Sequence, residues 1–201
     1  MHLSTPALVC ASRPHGETGV IARLLTAEHG LVGAYVAGGR GRQLRPVLIP
    51  GNLVAAELTA RTGTQLPSAR LELTQSRGPW LSEPLPASAI VWVTALTAAT
   101  LPERHAYPQL YEALSGLLDA ICAAPSARGW TMGLLSYEAL LLRELGYGTP
   151  VARPESDDWP ALLAALDLLG AALSRNLLAE RRSDVMAARA MLRKRLGKIE
   201  G

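Results

Sequence analysis

The chain has 201 residues, of which 49% are hydrophobic and 18% charged, and its formal net charge is +3. This balance excludes a disordered chain, and the length allows one or two domains with a sizeable core. The charge is distributed unevenly along the chain. Residues 1–79 carry eight Arg and four acidic residues, whereas residues 80–180 carry five Arg and eleven acidic residues. Residues 181–201 carry seven basic residues and two acidic residues. The net charges of +4, −6 and +5 indicate a polyanion as a partner, with an unevenly charged, solvated surface as the alternative.

Five short strands are predicted in the first part of the chain. Apolar runs at residues 5–12, 20–26 and 31–37 are separated by turns that contain Gly or Pro. Residues 53–60 and 70–75 then alternate between apolar and polar side chains, the period-two pattern of a half-buried strand. Five strands at this spacing suit a small barrel or sandwich.

A Pro-rich segment at residues 78–86 predicts the end of the strands, because Pro cannot continue a strand ladder. We therefore expect a strand domain at residues 1–79 and a helical domain at residues 80–201. The helical domain shows apolar stripes at steps of three and four residues. The predicted helices cover residues 107–122, 131–145, 159–173 and 185–196. Residues 89–101 predict a further helix, with a strand as an open alternative because β-branched residues are frequent there.

Local signals mark the ends of these helices. Gly146 is expected to end the second one, and Asp157 and Asp158 to cap the one that begins at Trp159. In the last helix the apolar side chains are expected to face inward and the cations outward. The cations of that helix are Arg189, Arg193, Lys194 and Arg195.

Several classes of protein are not supported by the sequence. The N-terminus lacks the basic segment of a secretory signal, and the apolar stretches are too short or interrupted to span a bilayer, so we predict a soluble cytoplasmic protein. Cys10 and Cys122 are interpreted as small buried residues in a reducing compartment. The loop that begins at Gly38 lacks the Lys-Ser/Thr of a phosphate-binding P-loop. No catalytic constellation is recognised, so we predict neither an enzyme nor a cofactor.

Motifs in both predicted domains carry a family resemblance. Residues 12–18 read Ser-Arg-Pro-His-Gly-Glu-Thr, followed by Glu-His-Gly at residues 28–30 and a Gly- and Arg-rich loop at residues 38–50. Glu138 precedes Leu-Leu-Leu-Arg-Glu-Leu-Gly-Tyr-Gly, and Ala-Ala-Arg stands in the last helix. In this order and spacing the motifs resemble the RecO family of bacterial recombination mediators. The resemblance implies an α+β protein, with an N-terminal five-stranded OB-fold β-barrel followed by an all-α domain.

The resemblance also implies a function in DNA repair and homologous recombination, in the RecF pathway. Members of this family bind single- and double-stranded DNA and anneal complementary strands. They act with RecR and with the C-terminal tail of single-strand binding protein, and so help to load RecA. A protein of this kind is expected in the cytoplasm, at the nucleoid.

The sequence departs from the family pattern in three respects. Residues 149–158 contain no Cys or His, so we predict no zinc or other metal. The same region is short, so a hairpin of longer relatives is expected to be missing. The Arg pair that often precedes the aromatic–Glu pair is replaced by Leu135 and Ser136. The contact with the binding-protein tail is then assigned to Tyr137, Arg128 and Arg143.

The predicted DNA site is the loop that contains Arg40, Arg42 and Arg45, because its glycines allow close approach of the backbone and its cations neutralise phosphates. Arg13 and Arg23 are expected to extend this basic surface. Tyr35 is the only Tyr, Trp or Phe before Trp80, so binding through phosphates rather than base stacking is predicted.

Other interpretations of these cations are open. The last helix is a second candidate contact, through Arg193 and Lys194, and the alternative for both segments is a solvated surface. One alternative function is an adaptor whose helical domain docks a partner tail with little direct affinity for DNA. Another is a family member that has lost one of its contacts.

Overall fold

The computed structural model describes residues 2–60, 66–148, 158–178 and 183–199. The five strands are β1 His2–His15, β2 Gly19–Thr26, β3 Gly30–Val36, β4 Leu53–Thr59 and β5 Ser68–Gln75. After a short 3-10 helix at Gly78–Ser82, the helices are α1 Pro84–Thr100, α2 Pro108–Ala123, α3 Arg128–Glu144, α4 Trp159–Asn176 and α5 Ser183–Leu196. Every predicted strand and helix is therefore confirmed. Residues 89–101, for which a strand was the alternative to a helix, lie almost entirely in the helix α1.

The strands close into a barrel in the order β1-β2-β3-β5-β4. All pairs are antiparallel except β3 with β5, which are parallel. The 14 residues of β1 make this closure possible, because its first half pairs with β4 and its second half with β2. The register of β1 shifts at Cys10, where a bulge bends the strand from one partner to the other. The topology is that of the predicted OB-fold.

The sequence has no Phe, so the core of the barrel is filled by Ala, Val and Leu side chains. The inward residues of β2 and β3 follow strict alternation: Val20, Ala22, Leu24, Val32, Ala34 and Val36. Cys10 is also buried, and burial raises the pKa of its thiol to about 12, which keeps it protonated and unreactive. The predicted burial is confirmed for Cys10, whereas Cys122 is half-buried.

Contacts divide the chain into two compact units. The barrel unit comprises Met1–Ser82 and Leu101–Tyr111, and the helical unit comprises Glu83–Thr100 and Glu112–Gly201. In the barrel unit, residues 101–107 return to β3 after α1. In the helical unit, α5 packs on α1 and α4, and α3 packs on α4. In the parts of the chain that the structure describes, no helix is long and apolar enough to cross a bilayer.

The ends of α3 and α4 follow the predicted signals. Gly146 has a φ of +88°, and the amides of Gly146 and Tyr147 donate to the carbonyls of Arg143 and Leu142. This pair of bonds is the Schellman arrangement that glycine favours after a helix. At the start of α4 the Asp158 carboxylate accepts from the amide of Ala161 at 3.4 Å. The predicted cap at Asp157 lies outside the described residues.

The outward direction predicted for Arg189 is wrong. Arg189 is 5% exposed, and its guanidinium forms a two-pronged ion pair with Glu138, which is fully buried. Nη2 to Oε2 is 2.8 Å and Nε to Oε1 is 3.2 Å. The indole of Trp92 donates to the same carboxylate at 2.7 Å, and Gly170 leaves the space that the guanidinium occupies. This buried network ties α5 to α1, α3 and α4.

Candidate nucleic-acid interface

Two grooves on the surface of the barrel share Ser12 and Arg13. In the sheet, Arg13 is opposite Ile21, and Arg23 is opposite Ala11 on one side and Gly33 on the other. Because side chains alternate along a strand, all of these residues point away from the barrel core. Arg13 and Arg23 are diagonal cross-strand neighbours, a position from which long side chains reach each other's surroundings.

The first groove has a volume of about 250 Å³ and brings three predicted arginines together. It is lined by Arg13 from β1 and by Arg40 and Arg45 from the loop after β3. Arg42 is exposed in the same loop but lines neither groove. Arg40, Arg42 and Arg45 are equivalent in the sequence-based prediction. In the structure, only Arg40 and Arg45 line the groove.

The basic loop is folded back on the barrel. The amide of Arg40 donates to the carbonyl of Thr18 at 3.1 Å, and its guanidinium donates to the carbonyl of Glu17 at 2.9 Å. The amide of Arg45 donates to Gly41 at 3.0 Å, and its guanidinium reaches the carbonyl of Arg40 at 3.3 Å. These bonds use carbonyl acceptors, so they orient the cations without neutralising them.

A buried polar network holds the base of this loop, and no pattern in the sequence predicts it. Asn52 is fully buried; its amide group donates to the carbonyls of Pro46 at 2.8 Å and Val47 at 3.2 Å, and its oxygen accepts from the amide of Arg77 at 2.7 Å. Arg77 is 1% exposed and donates to the carbonyl of Gly51 at 2.6 Å. Arg77 is thus a structural residue and adds nothing to the exposed basic surface.

The second groove has a volume of about 350 Å³ and includes Arg13, Arg23, Gly33 and Glu103. Here Arg23 faces a carboxylate, because its Nη2 lies 3.3 Å from Oε1 of Glu103. Both side chains are partly exposed, at 30% for Arg23 and 56% for Glu103. The two grooves thus differ in charge: the second contains an acid and the first does not.

The loop arginines and Arg13 carry uncompensated charge. Among the described residues, no carboxylate lies within ion-pair distance of Arg13, Arg40, Arg42 or Arg45. Such cations attract a polyanion, and three of them, Arg13, Arg40 and Arg45, line one groove, which suits a chain of regularly spaced charges.

One aromatic pair adjoins the grooves. The rings of His15 and Tyr35 meet edge to face, with centroids 6.0 Å apart and planes at 77°. The Tyr35 ring crosses the backbone of Gly19, where any Cβ would overlap it. Tyr35 is opposite Ile21 in the sheet and is therefore on the outer face of the barrel, where Ile21 separates it from Arg13.

The predicted cations of the last helix differ from each other. Arg193 forms a two-pronged ion pair with Asp167, at 2.7 and 2.8 Å. This hydrogen bond from Arg193 lowers the pKa of the Asp167 carboxyl, and the same partner raises the pKa of Arg193. Lys194 is exposed. A charge already paired attracts phosphate less strongly, so Lys194 is the better placed of the two.

The three predicted partner-binding residues occupy different environments. Tyr137 is 1% exposed and its hydroxyl bonds to Thr97, so it packs in the core and is not available to a docked tail. Arg128 is exposed, and its guanidinium lies 5.1 Å from the centre of the Trp159 ring. Arg143 is 62% exposed, with its Nη2 3.6 Å from Glu144.

The prediction of no metal falls largely outside the described residues. Residues 149–157 are not described, and neither is the place of the hairpin expected to be missing. Within the described ranges, no three His, Cys, Asp or Glu side chains form a group that could hold a metal ion.

Known proteins resemble the chain in both of its units. Residues 1–77 match the family described as Recombination protein O N terminal, and residues 83–153 match Recombination protein O C terminal. The protein named DNA repair protein RecO from Phenylobacterium zucineum is 38% identical over 154 residues, which cover 76% of this chain and 62% of the relative. Its namesake from Rhodospirillum centenum is 40% identical over 149 residues, which cover 74% of this chain and 58% of the relative. The chain therefore spans 58–62% of the length of these relatives.

Proposed function

The chain belongs to the recombination protein O family, and from this membership we propose that it binds DNA through the two grooves of its barrel. The observation that supports the proposal best is the convergence of Arg13, Arg40 and Arg45 on one groove. We propose that this binding serves DNA repair and homologous recombination. The protein anneals complementary strands and, together with RecR and single-strand binding protein, helps to load RecA.

Phosphate contacts supply the affinity in this account. Each phosphate that an arginine neutralises releases condensed counterions, and for a single strand it adds about 0.7 to the slope of log affinity against log salt concentration. Three arginines in the first groove therefore give a slope of about −2. Contacts of this kind read no base edges, so binding is tolerant of sequence.

Annealing follows from the same chemistry. Two complementary strands repel each other through their phosphates until cations offset that repulsion. A strand held by its backbone along the grooves keeps its base edges free to pair. Lys194 on α5 is a second exposed cation that adds attraction for DNA.

The test is fluorescence anisotropy of labelled single and duplex oligonucleotides with native protein and Arg13→Gln/Arg45→Gln. The matched control is Arg70→Gln/Arg175→Gln, which removes the same charge from exposed positions outside both grooves. Loss of two charge-assisted contacts weakens binding by about tenfold or more in the groove variant. Equal losses in both variants would refute the groove as the site, and no binding by native protein at low salt would refute the function.

The adaptor function is the second candidate, supported by two exposed arginines on α3. Arg128 and Arg143 are 15 residues apart, about 22 Å along a helix, so a single carboxylate contacts only one of them. We propose that one of these arginines holds the acidic tail of single-strand binding protein. Anisotropy of a labelled tail peptide with Arg128→Gln and with Arg143→Gln identifies which one, and unchanged binding in both would refute this contact.

The remaining properties follow from family membership and the sequence. We propose a protein without catalytic activity, cofactor or metal that acts in the cytoplasm at the nucleoid. We propose that residues 1–79 form the DNA-binding domain, to which residues 101–111 of the barrel unit add Glu103, and that the rest of residues 80–201 docks partners. Metal analysis of the purified protein and limited proteolysis around residue 80 test the two structural parts of this proposal.

A further inference from the structure

We propose that Glu103 competes with DNA phosphates for Arg23 and thereby limits the affinity of the second groove. The inference rests on the proposed DNA binding and assigns to this acid a role in setting its strength and salt dependence. The two residues are 80 positions apart in the chain, and they meet on the outer face of the barrel.

The contact between them leaves much of the guanidinium available. Arg23 donates one bond to Glu103, from Nη2 to Oε1 at 3.3 Å. A guanidinium has five N–H donors and binds carboxylate and phosphate with the same fork geometry. Glu103 thus occupies, with one oxygen, a place that a phosphate would fill.

The backbone of Glu103 is held beside the start of β3. The amide of Arg104 donates to the carbonyl of Leu31 at 2.9 Å, and Glu103 forms a parallel bridge with Leu31. At Gly30, where φ is +65°, a Cβ would overlap the carbonyl of His105. Residues 103–105 therefore lie directly against the start of β3, and Glu103 belongs to the barrel unit.

Gly33 provides the room that the carboxylate needs. A Cβ at this position would lie 3.3 Å from Oε1 of Glu103. Gly33 is also directly opposite Arg23 in the sheet. Gly33 and Arg23 thus border the place where the Glu103 carboxylate lies.

The exposure of the pair predicts that a phosphate displaces the acid. An ion pair at this exposure is weak, and its loss changes an equilibrium by about fivefold at most. DNA therefore reaches Arg23 against a modest penalty, whereas the arginines of the first groove carry no such penalty. Removing the acid is expected to remove this penalty.

The test compares Glu103→Gln with native protein by anisotropy of a labelled single-stranded oligonucleotide over a salt series. The matched control is Glu57→Gln, which removes the same charge from an exposed position on β4 that lines neither groove. We expect Glu103→Gln to bind up to about fivefold more tightly at low salt, and this gain to shrink as salt rises, because salt weakens the ion pair that native protein has to break. Glu57→Gln is expected to keep the native slope.

A second background separates direct competition from general charge effects. When Arg23→Gln is already present, adding Glu103→Gln is expected to leave the DNA affinity unchanged, because the arginine for which the acid competes has been removed. A gain that persists in this background, or equal behaviour of Glu103→Gln and Glu57→Gln, would overturn the inference. Weaker binding by Glu103→Gln would also overturn it, since the acid would then position Arg23 rather than compete for it.

Failure of the inference and failure of the proposed function give different results. If native protein binds DNA and the two Glu variants behave alike, only the proposed role of Glu103 is refuted. If neither native protein nor Glu103→Gln binds at low salt, the proposed DNA binding and the role of Glu103 are both refuted. Binding that appears only in Glu103→Gln would contradict both, because native protein would not bind DNA and the effect of the acid would exceed about fivefold.

Discussion

Two arginines on α5 provide a stringent test of how burial controls the strength of an ion pair. Arg189 and Arg193 are one helical turn apart, and each forms a two-pronged pair with a carboxylate. The first pair is buried, with side-chain exposures of 6% and 0%, whereas the second is at the surface, with 30% and 56%. Replacing each arginine by Met removes the same charge and keeps a long side chain.

Burial makes the expected losses differ several-fold. Arg189→Met leaves the Glu138 carboxylate buried with the Trp92 indole as its remaining donor among the described residues, and a buried charge without its partner costs about 3–5 kcal/mol. Arg193→Met breaks an exposed pair, which costs about 0–1 kcal/mol. Adding Glu138→Gln to Arg189→Met removes the stranded charge and is expected to recover part of the loss.

Urea unfolding followed by circular dichroism at 222 nm is the assay, because the helical unit supplies most of the helical signal. We expect the midpoint to fall strongly for Arg189→Met and slightly for Arg193→Met, with similar slopes. Equal losses in the two variants would refute the reasoning. So would further destabilisation on adding Glu138→Gln, since that would mean the carboxylate is not the cause.

Three further predictions follow from named contacts. Asn52→Ala leaves the buried amide of Arg77 without its acceptor, so we expect a loss of about 1–3 kcal/mol in urea unfolding. Because the pKa of Asp167 is lowered in the folded state, its pair contributes stability above the unfolded pKa of about 3.9, and the difference between native protein and Asp167→Asn should shrink as pH falls below that value. Tyr35→Leu should change single-strand affinity by less than about twofold, and a loss of tenfold in anisotropy would show that bases stack on this ring.

Much of the architecture was predictable from local signals. Period-two alternation in β4 and helical stripes in α2 to α4 identify elements because each buries one face. Gly146 and Asp158 mark helix ends through their own backbone and side-chain chemistry. The closure of the barrel was reached through the family resemblance, since strand order depends on pairings between distant residues.

The direction of individual cations was not predictable in the same way. The sequence predicts an outward-facing Arg189, because a charged residue on a helix usually faces water. Its contact with Glu138 is visible only in the three-dimensional structure. A signal was present at the other end of the pair: Glu138 has Leu134, Leu141 and Leu142 at helical spacing, so its burial, and its need for a cation, follow from the stripe. Arg77 gave no comparable signal.

The grooves show the same limit. Arg42 and Arg45 look alike in the sequence, but the fold of their loop places only Arg45 in the first groove. The meeting of Arg23 with Glu103 depends on residues 101–107 returning to the barrel after α1, which no period in the sequence encodes. The sequence therefore does not predict which residues line a site when their positions depend on the paths of loops.

The measurement that tests the central claim most directly compares Arg45→Gln with Arg42→Gln in the single-strand salt series. Both changes remove one positive charge from the same loop, and only Arg45 lines a groove. We predict that Arg45→Gln weakens binding and flattens the log–log slope by about 0.7, whereas Arg42→Gln keeps the native slope. Equal flattening in the two variants would contradict a groove-bound strand, because the loop would then attract DNA only through its total charge.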